Sequence, residues 1–412
     1  MSYGPDMRAS LLETSTHRAQ LTASTIARAA FFPTGMVTVL LGPLLPTLSA
    51  RWSLNDGQAG YLVTAQFLGA LLGTLSCGVV LPRFGFRWTI SYGLVFMSTG
   101  TAILIAGPFW WALIAVFCYG IGIGLTIPTG NLLVAQVVPE RRSSALNLLN
   151  FSWSAGAVAC PFLLAAFQHR GHTSFLLYGI AGLLAVVTIS LFVIHTDLPE
   201  PRRQEDSGPW QSWIRYLWTP AAVVLGAIFF IYVGTENALG AWLASYAKRV
   251  SAIPSSGWMT VPSYFYGALL LGRVLAPLTL KQISDVKQAC VGAVLAMISS
   301  GILLFARSVA SVAVCALFAG LGMSSLYPIA ISFLSEGFGA VTPRIASVMF
   351  ALSTLGGATV PWLVGYMSTQ FASLRTALVV AVVGCVTILL LFRSSSLRKC
   401  VYEESYRPRL IV

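Results

Sequence analysis

Between Arg87 and Glu140 the chain runs for 52 residues without a charged side chain. A membrane-crossing helix needs about 20 apolar residues. The interval is therefore too long for one helix, and Gly107-Pro108 divides it into two. Four more charge-free intervals each supply one span: Arg28 to Arg51, Asp56 to Arg83, Arg142 to Arg170 and Arg170 to Asp197. That makes six. After a polar stretch six further spans follow, at 219–247, 257–280, 286–306, 308–335, 344–367 and 373–393. Hydrocarbon offers no water to backbone N–H and C=O groups, so these spans are read as helices. Composition agrees, with 56% hydrophobic and 9% charged residues and a mean hydropathy of +0.79. Ordinary soluble domains carry about 25% charged residues. A chain this apolar cannot cover a water-facing surface, which argues against a cytosolic enzyme, a nucleic-acid binder or a disordered scaffold.

Charge placement gives orientation. With the N-terminus inside, the cytoplasmic segments hold 19 of the 25 Lys and Arg, and the outer side holds Arg51, Arg170, Lys248, Arg249, Arg307 and Arg375. This bias predicts that both termini are cytoplasmic and makes the net charge of +12 a topology signal. Eight of the eleven Trp fall at span ends, as in an interfacial belt; Trp153, Trp242 and Trp362 lie inside spans. The division expected is a cytoplasmic tail 1–26, a six-helix half 27–195, a linker 196–218, a second six-helix half 219–393 and a tail 394–412. No secretory signal is visible, since residues 1–26 are polar. Residues 210–218 read either as a short interfacial helix or as the wet start of the seventh span.

The halves echo each other at an offset near 200 residues. Phe67-Leu-Gly69-Ala-Leu-Leu72 matches Phe265-Tyr-Gly267-Ala-Leu-Leu270, and Gly120-x-Gly122 with Pro128 matches Gly320-x-Gly322 with Pro328. Gly156 with Pro161 matches Gly356 with Pro361. Six spans per half make the repeat parallel, the architecture of a secondary transporter with its solute site between halves. The fold expected is all-α, with twelve transmembrane helices in two parallel-repeat six-helix halves. The glycines permit close helix approach and the prolines permit bends.

On these residues the chain resembles the major facilitator superfamily over about residues 25–395. Gly78-Val-Val-Leu-Pro82-Arg83-Phe-Gly85-Phe-Arg87 is similar to the superfamily's loop signature Gly-x-x-x-Asp-Arg-x-Gly-Arg-Arg at Gly78, Arg83, Gly85 and Arg87, with Pro82 in place of the Asp. Gly272-Arg273 ends the eighth span as in many members. The resemblance implies that Gly78, Arg83, Gly85, Arg87 and Arg273 belong to gating loops. Within the superfamily, the run from Tyr232 through Glu236, Asn237 and Trp242 to Tyr246 is similar to the seventh span of the fucose-permease-like sugar transporters, and Leu326-Tyr327-Pro328 also fits that group. That resemblance implies proton- or sodium-linked sugar uptake. Fucose permeases carry acids in the first and fourth spans; here the first has none and Ile127 stands where the fourth would place one.

Of thirteen acids, only Glu236 lies deep in a span. A carboxylate at mid-membrane costs about 2.5–3.5 kcal/mol on insertion scales, and such residues face cavities. Desolvation favours the neutral form of a carboxyl group, so Glu236 is the candidate for carrying a coupling proton or holding a cation. Tyr232, one turn earlier, is its candidate hydrogen-bond partner. The alternative is a protonated structural Glu tying two helices together. Arg273 is placed near the cytoplasmic end of its span, leaving no embedded base as partner and arguing against a strongly anionic solute. Sugars favour amides for their hydroxyls and aromatic faces for their C–H surfaces. The candidate lining residues are Gln66, Asn131, Asn150, Trp153, Asn237, Trp242, Tyr264 and Tyr327, with Asn147 and Ser154 on the face of Asn150. Asn131 reads equally as helix-to-helix glue, and Tyr264 and Tyr266 point to different faces.

No metal or other cofactor is expected. There is no Walker loop, the seven Cys show no CxxC, and the four His lie in tails, loops or span ends. The reading is a non-enzymatic secondary active transporter for a sugar or similar small neutral solute, driven by a proton or sodium gradient. Its site is the plasma membrane, a bacterial inner membrane, with the bilayer as partner, no nucleic acid and a monomeric state. It would alternate access by rocking residues 25–195 against 219–395. An exporter of amphiphilic or cationic drug-like compounds needs only a more apolar cavity and one acid. A non-transporting receptor is disfavoured by the short tails.

Overall fold

A computed structural model of the chain describes residues 5–138, 142–193, 198–201, 211–251, 257–280, 283–338 and 342–394. Among these residues every regular element is helical. The first six are α1 Pro5–Val39, α2 Leu41–Trp52, α3 Asp56–Ile103, α4 Phe109–Val137, α5 Arg142–His169 and α6 Thr173–Val193. A short α7, Gln211–Leu217, precedes α8 Pro220–Val250, a 3-10 turn Gly257–Thr260 and α9 Val261–Leu280. Then come α10 Asp285–Leu303, α11 Val309–Met323, α12 Leu326–Gly337, α13 Thr342–Gln370, α14 Leu374–Ala377 and α15 Val379–Phe392. Most of the charged linker (Asp197, Arg202, Arg203, Glu205, Asp206) and residues 395–412 lie outside the described residues.

Nine helices among the described residues are long and apolar enough to cross a membrane, or ten if Thr22–Val39 and Leu41–Trp52 form one bent span. One of the nine, α3, is 48 residues long. At 1.5 Å per residue that is about 72 Å, more than twice a ~30 Å hydrocarbon core. The helix is broken at Gly85, whose φ of 74° and ψ of 177° suit a residue without Cβ. The glycine of the loop signature is thus the turn between two spans. The tenth span is also two pieces, α11 and α12, parted at Ser324 and Ser325. Pro328 cannot donate to the carbonyl four residues before it, which accounts for a break at this point. Residues 211–217 form a helix of their own, separated from α8 by Thr219, which caps α8 through Ala222 N with Pro220 in its first turn.

The chain divides into two compact units. Unit one comprises Met1–Thr38, Gly69–Ala159 and Ser174–Arg203; unit two comprises Val39–Leu68, Cys160–Thr173 and Gln204–Val412. In unit one, α5 lies so close to α1 that a methyl group on Gly156 would overlap the carbonyl oxygen of Phe32. In unit two, α13 approaches α8 the same way, with Gly356 against the carbonyl oxygen of Phe230. Gly122 meets Gly93 in unit one, and Gly322 meets Gly292 in unit two. Small residues let backbones touch where lipid provides no hydrophobic force between helices.

Unit two also holds Val39–Leu68, the end of the first span and the start of the second. Gly42 of α2 packs on the carbonyl of Gly240, and Gly60 of α3 packs on Trp362. Asp56, first residue of α3, pairs with Arg249 in the last turn of α8 and accepts from Ser368. Gly57 N donates to Thr369 Oγ1 at 2.8 Å. The Arg249 side chain is 46% exposed, and exposed ion pairs contribute only about 0–1 kcal/mol. The glycine packing therefore holds this contact more than the ion pair does.

The packing makes a prediction. Gly156→Ala should cost on the order of 1–3 kcal/mol by overpacking and lower the apparent Tm of the purified protein. Gly179→Ala, with open space at the new methyl, should leave the Tm unchanged or raise it slightly through helix propensity. Equal effects from both would contradict the close approach.

Candidate functional site

Glu236 sits in α8, 14 residues before its end at Val250. Arg273 sits in α9, 12 residues after its start at Val261. Both distances are measured from the same connecting loop. At 1.5 Å per residue they are about 21 Å and 18 Å, so the two side chains are level. Arg273 Nη2 lies 3.8 Å from Glu236 Oε1. This corrects the sequence-level placement of Arg273 near the end of its span. The helix runs on to Leu280, so the guanidinium is an embedded partner for the carboxylate. The inference that no deep base exists falls with it, and so does its use against an anionic solute. Counting residues from the loop would have revealed the level match.

A buried unpaired charge is far costlier than a paired one, and Arg273 is the compensating charge for Glu236. The pair is loose, since closed guanidinium–carboxylate bonds run about 2.7–2.9 Å. The Glu236 side chain is 12% exposed and that of Arg273 29% exposed. Arg273 Nε is buried with no hydrogen-bond partner. Tyr232, one turn before Glu236, is 1% exposed; its hydroxyl lies within side-chain reach of Arg273 and Glu236 but makes no hydrogen bond of good geometry. Its ring lies 5.5 Å from that of Tyr327, tilted 31°. Phe229 meets Tyr327 edge-on at 5.3 Å. The break at Ser324 and Ser325 places Tyr327 in the first turn of α12. Sequence reasoning missed Phe229, which looked like one more apolar residue of the seventh span.

The remaining candidates are spread over both units. In unit two, Gln66 is buried at 4% exposure, and Asn237 donates to Val233 O at 2.8 Å within its own helix. Trp242 is 1% exposed and its indole N–H donates to Pro361 O at 2.8 Å. It therefore presents no free donor and almost no ring surface here. Tyr264 is 41% exposed and meets Phe162 at 6.1 Å, whereas Tyr266 is buried against Gly240. In unit one, Asn131 donates to Ile127 O and Asn150, which is exposed, to Leu146 O. Trp153 donates to Thr38 Oγ1 at 3.4 Å. Gly78 has open space around it and Arg83 is exposed; Gly85 makes the turn, with Arg87 two residues on. Among the described residues, the structure thus brings Tyr232, Arg273, Tyr266 and Tyr327 together around the buried acid, with Phe229 behind.

Comparison with known proteins decides the family. The family model of the Major Facilitator Superfamily matches residues 29–358. The chain belongs to that superfamily. It is a multi-pass membrane protein and a transporter rather than an enzyme. A glucose/galactose transporter of Brucella abortus biovar 1 (strain 9-941) is 27% identical over 376 residues, covering 86% of this chain and 90% of the relative. Among solved structures, the E. coli fucose:proton symporter superposes with a TM-score of 0.63 at 18% identity, covering 91% of this chain and 98% of its own. A bacterial homologue of the human lysosomal transporter Spinster gives a TM-score of 0.77 at 16% identity, covering 96% of this chain and 99% of its own. At these identities the structures share the superfamily fold. The likeness to sugar transporters first read from the seventh span holds across most of the chain.

Trp242 can be tested apart from the acid. Trp242→Phe removes the donor to the Pro361 carbonyl and strands that acceptor, which should cost about 1–3 kcal/mol of stability, seen as a lower apparent Tm. The KM for its solute should stay within about twofold of wild type, because no binding interaction is removed. A raised KM at unchanged Tm would make Trp242 a lining residue instead.

Proposed function

We propose that the chain is a secondary active transporter that carries a sugar or similar small neutral solute across the plasma membrane by alternating access, coupled to protons or sodium through Glu236. Its twelve helices form two parallel six-helix repeats, 27–195 and 219–393, with both termini cytoplasmic, in a bacterial inner membrane and as a monomer. The paired close approaches of Gly156 to Phe32 and of Gly356 to Phe230, about 200 residues apart, support the repeat. The glucose/galactose relative supports the solute class.

The observation that carries the coupling reading is Glu236 itself. Among acids it alone lies in the interior of a span, and a residue so placed is costly unless it works. When charged it is compensated by Arg273; when neutral it has taken up a proton. Gln66, Asn237 and Tyr327 are the solute-facing groups of unit two, and Asn131, Asn150 and Trp153 those of unit one.

Reconstituted vesicles test this. Wild-type protein should accumulate glucose or galactose against its gradient when a proton or sodium gradient is imposed. Glu236→Gln should lose that accumulation while still exchanging labelled for unlabelled sugar. If Glu236→Gln accumulates sugar as wild type does, with the same pH and sodium dependence, the coupling role is wrong.

A further inference from the structure

Polar groups around Glu236 are incompletely used. Arg273 Nε and Tyr232 Oη are buried without a hydrogen bond of good geometry, although the Tyr232 side chain lies within reach of both Glu236 and Arg273. The gap of 3.8 Å between Arg273 Nη2 and Glu236 Oε1 is too wide for a direct charge-assisted hydrogen bond. A pair whose task is only structural gains by closing that gap and satisfying its remaining donors, because unmet buried polar atoms are costly. Tyr266 and Tyr327 also come within electrostatic reach of Glu236, and neither supplies a second cation or anion.

A hydroxyl group fits this arrangement. It accepts through its lone pairs and donates through its single hydrogen. An oxygen placed about 2.8 Å from both Nη2 and Oε1 satisfies ordinary hydrogen-bond lengths, sitting to one side of the line between them. It would accept from the guanidinium and donate to the carboxyl. If Glu236 carries a proton, its carbonyl oxygen still accepts the same hydrogen. The Tyr232 hydroxyl and Arg273 Nε remain as donors for a neighbouring oxygen of the same molecule.

We propose that Arg273 is a solute-binding and specificity-determining residue, which together with Glu236 grips one hydroxyl group of the sugar. This rests on the sugar-transport reading above and deepens it. It moves Arg273 from the end of its helix into the binding site. It also makes the recognition specific to a hydroxyl, since a deoxy position can neither accept from Arg273 nor donate to Glu236. A site built to hydrogen-bond a hydroxyl discriminates strongly against an analogue lacking it, because its own buried groups are then left unpaired.

The test is sugar exchange by the full chain in vesicles without any ion gradient, so that coupling does not enter the readout. Glucose and its monodeoxy analogues, each lacking one hydroxyl, compete with labelled glucose. Wild type should bind one analogue at least about tenfold more weakly than glucose, the loss expected for one hydrogen bond to a charged group. Arg273→Met should weaken glucose itself by a similar factor and lose discrimination at that one position, while still selecting at the others. A structural role for Arg273 would weaken all sugars together and leave every ratio as in wild type, which would overturn the proposal. If Arg273→Met fails to reach the membrane, Arg273→Lys reads the same ratio, since it keeps the charge but lacks the Nε–H and the planar fork. A wild-type protein that exchanges sugar without preferring any hydroxyl also overturns the proposal while leaving the transport reading intact. A wild-type protein that exchanges no hexose overturns both.

Discussion

The constraint that governs this chain is that hydrocarbon leaves no polar group a partner outside the protein. Backbone groups answer it by helix formation, which explains why every described element is helical. Side chains answer it by scarcity, with 9% of residues charged. Serines and threonines inside the helices answer it locally. Thr34, Thr129 and Ser299, for example, each donate to the carbonyl four residues back. Against this background Glu236 and Arg273 are conspicuous: they sit at one depth, oppositely charged and not in closed contact. An open pair of opposite charges at this depth marks a place built for something to enter.

The same constraint shapes how the helices pack. Without a hydrophobic force between spans, attraction comes from close contact. Glycines at Gly156, Gly356, Gly122 and Gly322 bring backbones together. Prolines act on the same helices in the opposite sense, removing hydrogen bonds and permitting bends. Pro361 lies inside α13, where it removes one backbone donor, and its own carbonyl receives the Trp242 indole. The break before Pro328 sets Tyr327 against Tyr232.

Much of this was legible in the sequence, for identifiable reasons. Charge-free intervals reveal spans because the cost of a charge in lipid is large and position-independent in kind. Gly85 was singled out as part of the loop signature, and its φ of 74° gives the reason a residue without Cβ stands there. Glu236 stood out by being alone. The partner was missed because Arg273 was judged by a motif, Gly272-Arg273, and not by its distance along the helix from the loop it shares with Glu236. The environment of Trp242 was illegible for another reason. Its hydrogen bond goes to a residue 119 positions away, and nothing local distinguishes an indole that packs from one that lines a cavity. Asn131, Asn150 and Asn237 show the same limit, each donating to its own helix at i−4. An amide at a span midpoint does not announce whether it faces a neighbour, a cavity or its own backbone.

The central claim is that sugar movement and ion movement meet at one buried carboxyl group. It is tested most directly by adding glucose to de-energised, lightly buffered vesicles holding the wild-type protein and recording proton and sodium entry alongside sugar entry. The account predicts that one of the two ions enters with the sugar, and that Glu236→Gln vesicles take up sugar with no accompanying ion. Sugar entry without either ion in the wild type, or undiminished ion entry in Glu236→Gln, would contradict it.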